Sequence, residues 1–154
     1  MTSRWSASGD VPRGADYDAR FERLAASGAD VHGEADFVER LVAAERGAGW
    51  SVLDAGCGTG RVAVELARRG AATAGVDLDP GMLDAARRKA PDAEWVDADL
   101  VNLDLRVDGA RRRFDVVVMA GNVMIFVSPG TEAAVVARLA DHVVAGGRLV
   151  AGFQ

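Results

Sequence analysis

Three glycines, at 56, 58 and 60, constrain this chain more than any other feature. Val52 to Gly60 reads Val-Leu-Asp-Ala-Gly-Cys-Gly-Thr-Gly, a pattern of buried strand, loop and helix opening. Without Cβ atoms the loop can turn tightly and let a ligand reach main-chain N–H groups. A helix that opens there aims its unpaired amides at the same ligand. The natural occupant is a nucleotide-like molecule.

Spacing narrows the choice. A dinucleotide fingerprint has glycine at its first and third positions and a small residue at the sixth. Counted from Gly56, the sixth position is Arg61, which disfavours a NAD-dependent oxidoreductase. Asp54 precedes the loop, and the apolar run Ala72–Val76 ends in Asp77, twenty-one residues after Gly56. In an open α/β sheet that carboxylate stands at the carboxyl end of the neighbouring strand, where ribose hydroxyls arrive. Each charged hydrogen bond it accepts is worth roughly 1.5–3 kcal/mol. The plainer reading, a residue that starts a turn, explains the acid but not its pairing with the loop.

The rest of the chain alternates. Strands are expected near Ser51–Ala55, Ala72–Asp77, Glu94–Asp97, Asp115–Ala120 and Arg148–Phe153, with helices near Gly60–Arg69, Pro80–Lys89 and Glu132–Val144. Asp79 followed by Pro80 is a cap and a first-turn proline. Val116-Val-Val118 is the unbroken β-branched run of a strand covered on both faces. Such alternation gives an α/β fold with a parallel sheet and helices on both sides. Ahead of it, Ala15–Ala26 and Glu34–Arg46 are expected helices, and the polar stretch Met1 to Gly14 is expected to be mobile. Tyr17 and Phe21 either lid the ligand or form an ordinary packing stripe, and packing is preferred.

At this point the chain resembles the class I S-adenosylmethionine-dependent methyltransferases, from about Val52 to Phe153. The loop Asp54-Ala55-Gly56-Cys57-Gly58-Thr59-Gly60 looks like the family's first motif, against the methionine part of the cofactor. Asp77, with Leu78 and Met82 after it, looks like the second, with the acid on the ribose and apolar groups near adenine. Trp95-Val-Asp-Ala-Asp99-Leu100 resembles the third, in which Asp99 accepts from the adenine amino group and the Leu100 amide meets a ring nitrogen. Phe114 to Val123 resembles the fourth, and places Ala120 and Asn122 at the end of the central strand. Gly146-Gly147 matches the turn into the fifth strand.

The resemblance implies a Rossmann-like sheet in the order 3-2-1-4-5, with residues 1–49 as a helical cap segment and residues 50–154 as the cofactor-binding core. It implies S-adenosyl-L-methionine as cofactor and methyl transfer to a small-molecule acceptor. The family's sheet continues into two further strands that this chain lacks before Gln154. The fifth strand would then be an exposed edge. More chain, or a partner such as a second copy in a homodimer, is expected to cover it. Aminopropyl transfer would want more acids in the acceptor channel. A non-catalytic S-adenosylmethionine-binding module is the rival from a different class.

Composition bounds the partners. The 154 residues suit one domain, and the net charge of −5 argues against a nucleic-acid surface. The basic cluster Arg111-Arg-Arg113 reads as a solvated loop. Cys57 is the only cysteine, no apolar run approaches a membrane span, and no secretory segment opens the chain, so a cytoplasmic protein without membrane contact is expected. No metal is expected. A catalytic group is not required, because orientation and exclusion of water supply much of the rate of methyl transfer. His32 and Glu34 are the candidates for proton transfer or for binding the methionine amino group. The preferred alternative makes His32 a surface residue and Glu34 a helix start. His142 is read as structural.

Overall fold

The computed structural model describes residues 3–152. Its strands are β1 (Ser51–Ala55), β2 (Ala72–Asp77), β3 (Glu94–Asp97), β4 (Arg106–Val107), β5 (Ala110–Arg111), β6 (Phe114–Met119) and β7 (Val143–Ala151). Its helices are α1 (Arg4–Ala7), α2 (Ala15–Ala26), α3 (Gly33–Arg46), α4 (Arg61–Arg68), α5 (Pro80–Lys89), α6 (Val123–Phe126) and α7 (Glu132–Ala140), with a 3-10 turn at Leu100–Asn102.

Five strands form one sheet in the order β3-β2-β1-β6-β7, every neighbouring pair parallel. This is the expected 3-2-1-4-5 arrangement, with β6 and β7 as its fourth and fifth members. The short hairpin β4–β5 stands apart from it.

Both faces of the sheet are covered, as the β-branched run in β6 requires. Val117 and Met119 face one core with Leu53, Val76, Leu103, Val135 and Leu139. Val116 and Val118 face the other, with Val38 and Val42 of α3 and Val62 and Leu66 of α4. The alternation along β6 is the period-two pleat of a strand.

Several boundaries differ from expectation. The last helix stops at Ala140 rather than Val144, because the Phe114 N–H takes the His142 carbonyl at 2.7 Å and Val143 pairs with Phe114. Sheet pairing outcompetes another turn of helix. β7 therefore opens before Gly146-Gly147, and its register slips between Phe114 and Val116 around those glycines. Phe153, expected in this strand, lies outside the described residues. β6 runs one residue earlier than predicted. Of the stretch expected to be mobile, Met1 and Thr2 lie outside the described residues, while Ser3 to Gly14 carries α1 and has Trp5 bonded to Asp79.

Candidate functional site

The carboxyl ends of β1, β2 and β6 meet in one cavity that encloses about 840 Å³, its open mouth included. Nine of the twelve residues predicted to contact a cofactor line it. Asp54, Gly56 and Gly58 come from the first motif, Asp77, Leu78 and Met82 from the second, and Asp99, Leu100 and Ala120 from the third and fourth. Ala55, Gly60 and Asn122 do not reach it.

Local forces explain those three. Ala55 is fully buried in the strand. Gly60 starts α4 in a left-handed conformation, and a Cβ on it would stand 2.4 Å from the Trp95 ring. Trp95 thus packs over Gly60 and Gly75, its indole N–H on the Ala90 carbonyl at 2.9 Å. Asn122 precedes α6 with φ +67°, a conformation asparagine tolerates, and its N–H takes the Gly152 carbonyl at 3.1 Å.

The two acids of the cavity differ in their ties. Asp77 accepts from the Gly58 N–H at 2.8 Å through one oxygen and from the Asp79 N–H at 2.9 Å through the other. It therefore fastens the glycine loop to the end of β2. Burial pushes its carboxyl up, against the pull of those N–H groups. Asp54 is 1% exposed, and one oxygen takes the Ala63 N–H at 3.1 Å. Its other oxygen has no protein partner. Burial lifts this carboxyl to about 7, with the Ala63 N–H and the Arg61 charge opposing. A buried oxygen aimed into a cavity without a donor is fitted to a ligand that brings one.

Arg61 is the residue that sequence reasoning used only to exclude NAD. It lines the cavity, grips both Glu34 oxygens at 3.0 and 3.1 Å, donates to the Val31 carbonyl at 2.6 Å, and lies 4.3 Å over the Phe21 ring. Burial would raise the Glu34 carboxyl, but the hydrogen bond and charge of Arg61 outweigh it and leave it lowered. Glu34 is thus an ionised partner of a guanidinium. It also lines a second cavity, of about 860 Å³, with Asp30 and Phe37 and with Ala120 and Gly121, which border both cavities. His32 borders neither; its Nδ1 is buried without a protein partner. Tyr17 lines the first cavity beside Arg61 and packs against Phe21, with ring centroids 5.0 Å apart. Ser3, Trp5, Val123 and Phe126 line it too. Val123 closes the fourth motif, but nothing local in the sequence marks Ser3, Trp5 or Phe126, which arrive through long-range packing.

A parallel sheet in this order, with a glycine loop and two strand-end acids around one cavity, defines a class I methyltransferase-like fold. The chain belongs to the methyltransferase-domain family, whose profile matches residues 52–147. It is similar to a solved TehB-like SAM-dependent methyltransferase from Corynebacterium glutamicum, at 39% identity and a TM-score of 0.75, over 89% of this chain and 70% of that one. It is also similar to a SAM-bound amino pentose methyltransferase from Micromonospora echinaspora, at 30% identity and a TM-score of 0.73, over 88% of this chain and 54% of that one. A third relative, the dTDP-3-amino-3,4,6-trideoxy-alpha-D-glucopyranose N,N-dimethyltransferase of Streptomyces venezuelae, is 32% identical over 124 residues, 80% of this chain and 50% of that protein. The chain spans about half the length of the last two.

Proposed function

We propose that this chain binds S-adenosyl-L-methionine and transfers its methyl group to a small-molecule acceptor. The observation that carries the reading is the single cavity that joins the glycine loop to Asp54, Asp77 and Asp99, with one Asp54 oxygen buried and unpartnered. Family membership supports it. When bound, the cofactor supplies a methyl carbon made electrophilic by a sulfonium.

The chain's own residues bind, orient and exclude water. Asp77 has a lone pair left on each oxygen after accepting from Gly58 and Asp79, which suits the two ribose hydroxyls. Asp99 and the Leu100 amide take the adenine edge, and Leu78 and Met82 its apolar face. The unpartnered Asp54 oxygen accepts from the ammonium of the methionine end, and the charge keeps the carboxyl ionised. Glu34 holds Arg61 beside that end and is not assigned the role of base. Ala120 and Gly121 border both cavities, so the acceptor reaches the methyl group past the end of β6 from the second one.

Residues 1–49 act as the cap and 50–154 as the core in this reading. Among the described residues β7 is an edge of the sheet, and further chain or a second copy of this chain covers it. Among the described residues no helix is long and apolar enough to cross a membrane. A cytoplasmic setting, with no nucleic-acid partner, completes the proposal and is supported by the lone buried cysteine and the acidic charge.

Calorimetric titration with S-adenosylhomocysteine, with NAD as control, tests the reading. Binding of the first alone is expected. Binding of NAD alone overturns it, and binding without turnover on any acceptor favours a non-catalytic module.

A further inference from the structure

One wall of the cavity lies outside the family profile, which begins at residue 52. Ser3 and Trp5 line it, beside Phe126 and Val127. Trp5 touches both rims. Its indole N–H donates to Asp79 Oδ2 at 2.8 Å, at the amino end of α5. Its ring meets Phe126 of α6 edge to face, with centroids 5.2 Å apart and planes at 88°. Trp5 therefore joins the start of α5 to α6 at this wall of the cavity.

Further contacts hold it there. Arg13 ion-pairs the same Asp79 oxygen at 3.3 Å, lies 5.0 Å over the Trp5 ring and donates to the Trp5 carbonyl at 2.6 Å. The Gly14 N–H meets Met82 Sδ at 3.2 Å. On the α6 side, Arg4 donates to the Ile125 carbonyl at 3.2 Å. A Cβ placed on Gly56 would stand 2.6 Å from Val123, so α6 itself is seated on the glycine loop. The segment Ser3–Gly14 meets α6, and α6 in turn meets the loop.

We propose that Trp5 is a cofactor-binding residue, and that Ser3–Gly14 is a strap whose latch on Asp79 slows release of the cofactor. The inference rests on the S-adenosylmethionine reading above. Trp5, Phe126, Met82 and Leu100 give this part of the cavity flat or apolar surfaces, which suit a purine ring rather than a charged group. The polar edge of the indole is left to bind the strap to Asp79.

Asp79 separates latch from fold. Its Oδ1 caps α5 by accepting from the Gly81 and Met82 N–H groups at 2.9 and 3.3 Å, while Oδ2 serves Trp5 and Arg13. Asp79→Asn keeps an oxygen for the cap and turns the other atom into a donor, which neither Trp5 nor Arg13 can use. Trp5→Phe keeps an aromatic ring and removes the N–H.

The experiment is release of tritiated S-adenosylhomocysteine chased with unlabelled ligand, on wild type, Trp5→Phe, Trp5→Ala and Asp79→Asn, each first shown to be folded by circular dichroism. Trp5→Ala and Asp79→Asn are expected to release ligand about ten- to a hundredfold faster, the worth of one charged hydrogen bond. Trp5→Phe should fall between them and wild type, and with Asp79→Asn it carries the test if Trp5→Ala does not fold. Equal release from all folded variants overturns the strap and leaves the cofactor reading standing. A wild type that binds no S-adenosylhomocysteine overturns both.

Discussion

Asp54 is built into a position that opposes its own ionisation. Its carboxyl titrates at about 7 in the protein, against about 4 in an unfolded chain. Between those values the folded state holds the extra proton, so raising the pH across that window lowers the stability of the unliganded protein, and above it the loss is complete. Asp54→Asn should remove that slope and, at pH 8, stabilise the empty protein while weakening S-adenosylhomocysteine binding. Wild-type affinity should rise from pH 6 to 8 and then level. Thermal melts and titrations at several pH values check both, and a flat wild-type profile would remove Asp54 from the site. Trp95 gives a second residue-scale test. A Cβ on Gly75 would stand 2.4 Å from its ring, so Gly75→Ala should cost about 1–3 kcal/mol by overpacking. Much of that loss should vanish in a Trp95→Leu background, where urea denaturation of the double mutant reads the coupling. The places of Asp54, Gly56, Gly58 and Asp77 on the cavity were legible in the sequence because strand, loop and acid lie close along the chain. Trp5 and Arg61 were not, since their partners at Asp79 and Glu34 are fixed by packing across 74 and 27 positions.

Elements with a clear local signal matched expectation, and the misses fall where a distant partner overrides the local pattern or an element is very short. Pro80–Lys89 is a helix over its predicted span because Asp79 caps it and proline opens it. Glu132–Val144 reads as one continuous helix by apolar spacing, yet the pull of β6 on His142 and Val143 cuts it at Ala140. The β4–β5 hairpin escaped notice because each strand has only two residues. His142, expected to be structural, is fully buried where α7 hands over to β7. Its Nδ1 lies 2.8 Å from the Arg138 carbonyl, and its Nε2 accepts from the Leu105 N–H at 3.1 Å. Those contacts assign the neutral tautomer with the proton on Nδ1. It ties the end of α7 to the segment leading into β4. His142→Leu keeps the bulk and strands the Leu105 amide, which should destabilise the protein by about 1–3 kcal/mol. His142→Gln, which can again offer an acceptor, should recover part of the loss in urea denaturation. Equal losses in both would mean that ring packing, not the hydrogen bond, sets the value of this position.

α2 and α3 are joined to the rest of the molecule by different forces, and that difference sets what each contributes to stability. α2 has no buried residue. It is held by Asp18, which pairs with Lys89 at 2.8 Å and accepts from Thr59 at 2.5 Å, and by Phe21 beneath Arg61. Exposed ion pairs of this kind are worth about 0–1 kcal/mol each and weaken with salt. α3 instead buries Ala35, Val38 and Val42 in the same core as Val52 and Leu66. Burying a valine is worth about 1.5–3 kcal/mol, so removing α3 takes away a sizeable part of a typical stability of about 5–15 kcal/mol. Deleting residues 1–27 should therefore leave a cooperative thermal transition within a few kcal/mol of the original, together with greatly weakened S-adenosylhomocysteine binding. Deleting residues 1–49 should abolish the transition. In the intact chain, amide exchange across α2 should quicken in 1 M salt while α3 stays protected. If the shorter deletion also loses the transition, α2 is part of the folding core and its polar clips are worth far more than their exposure implies.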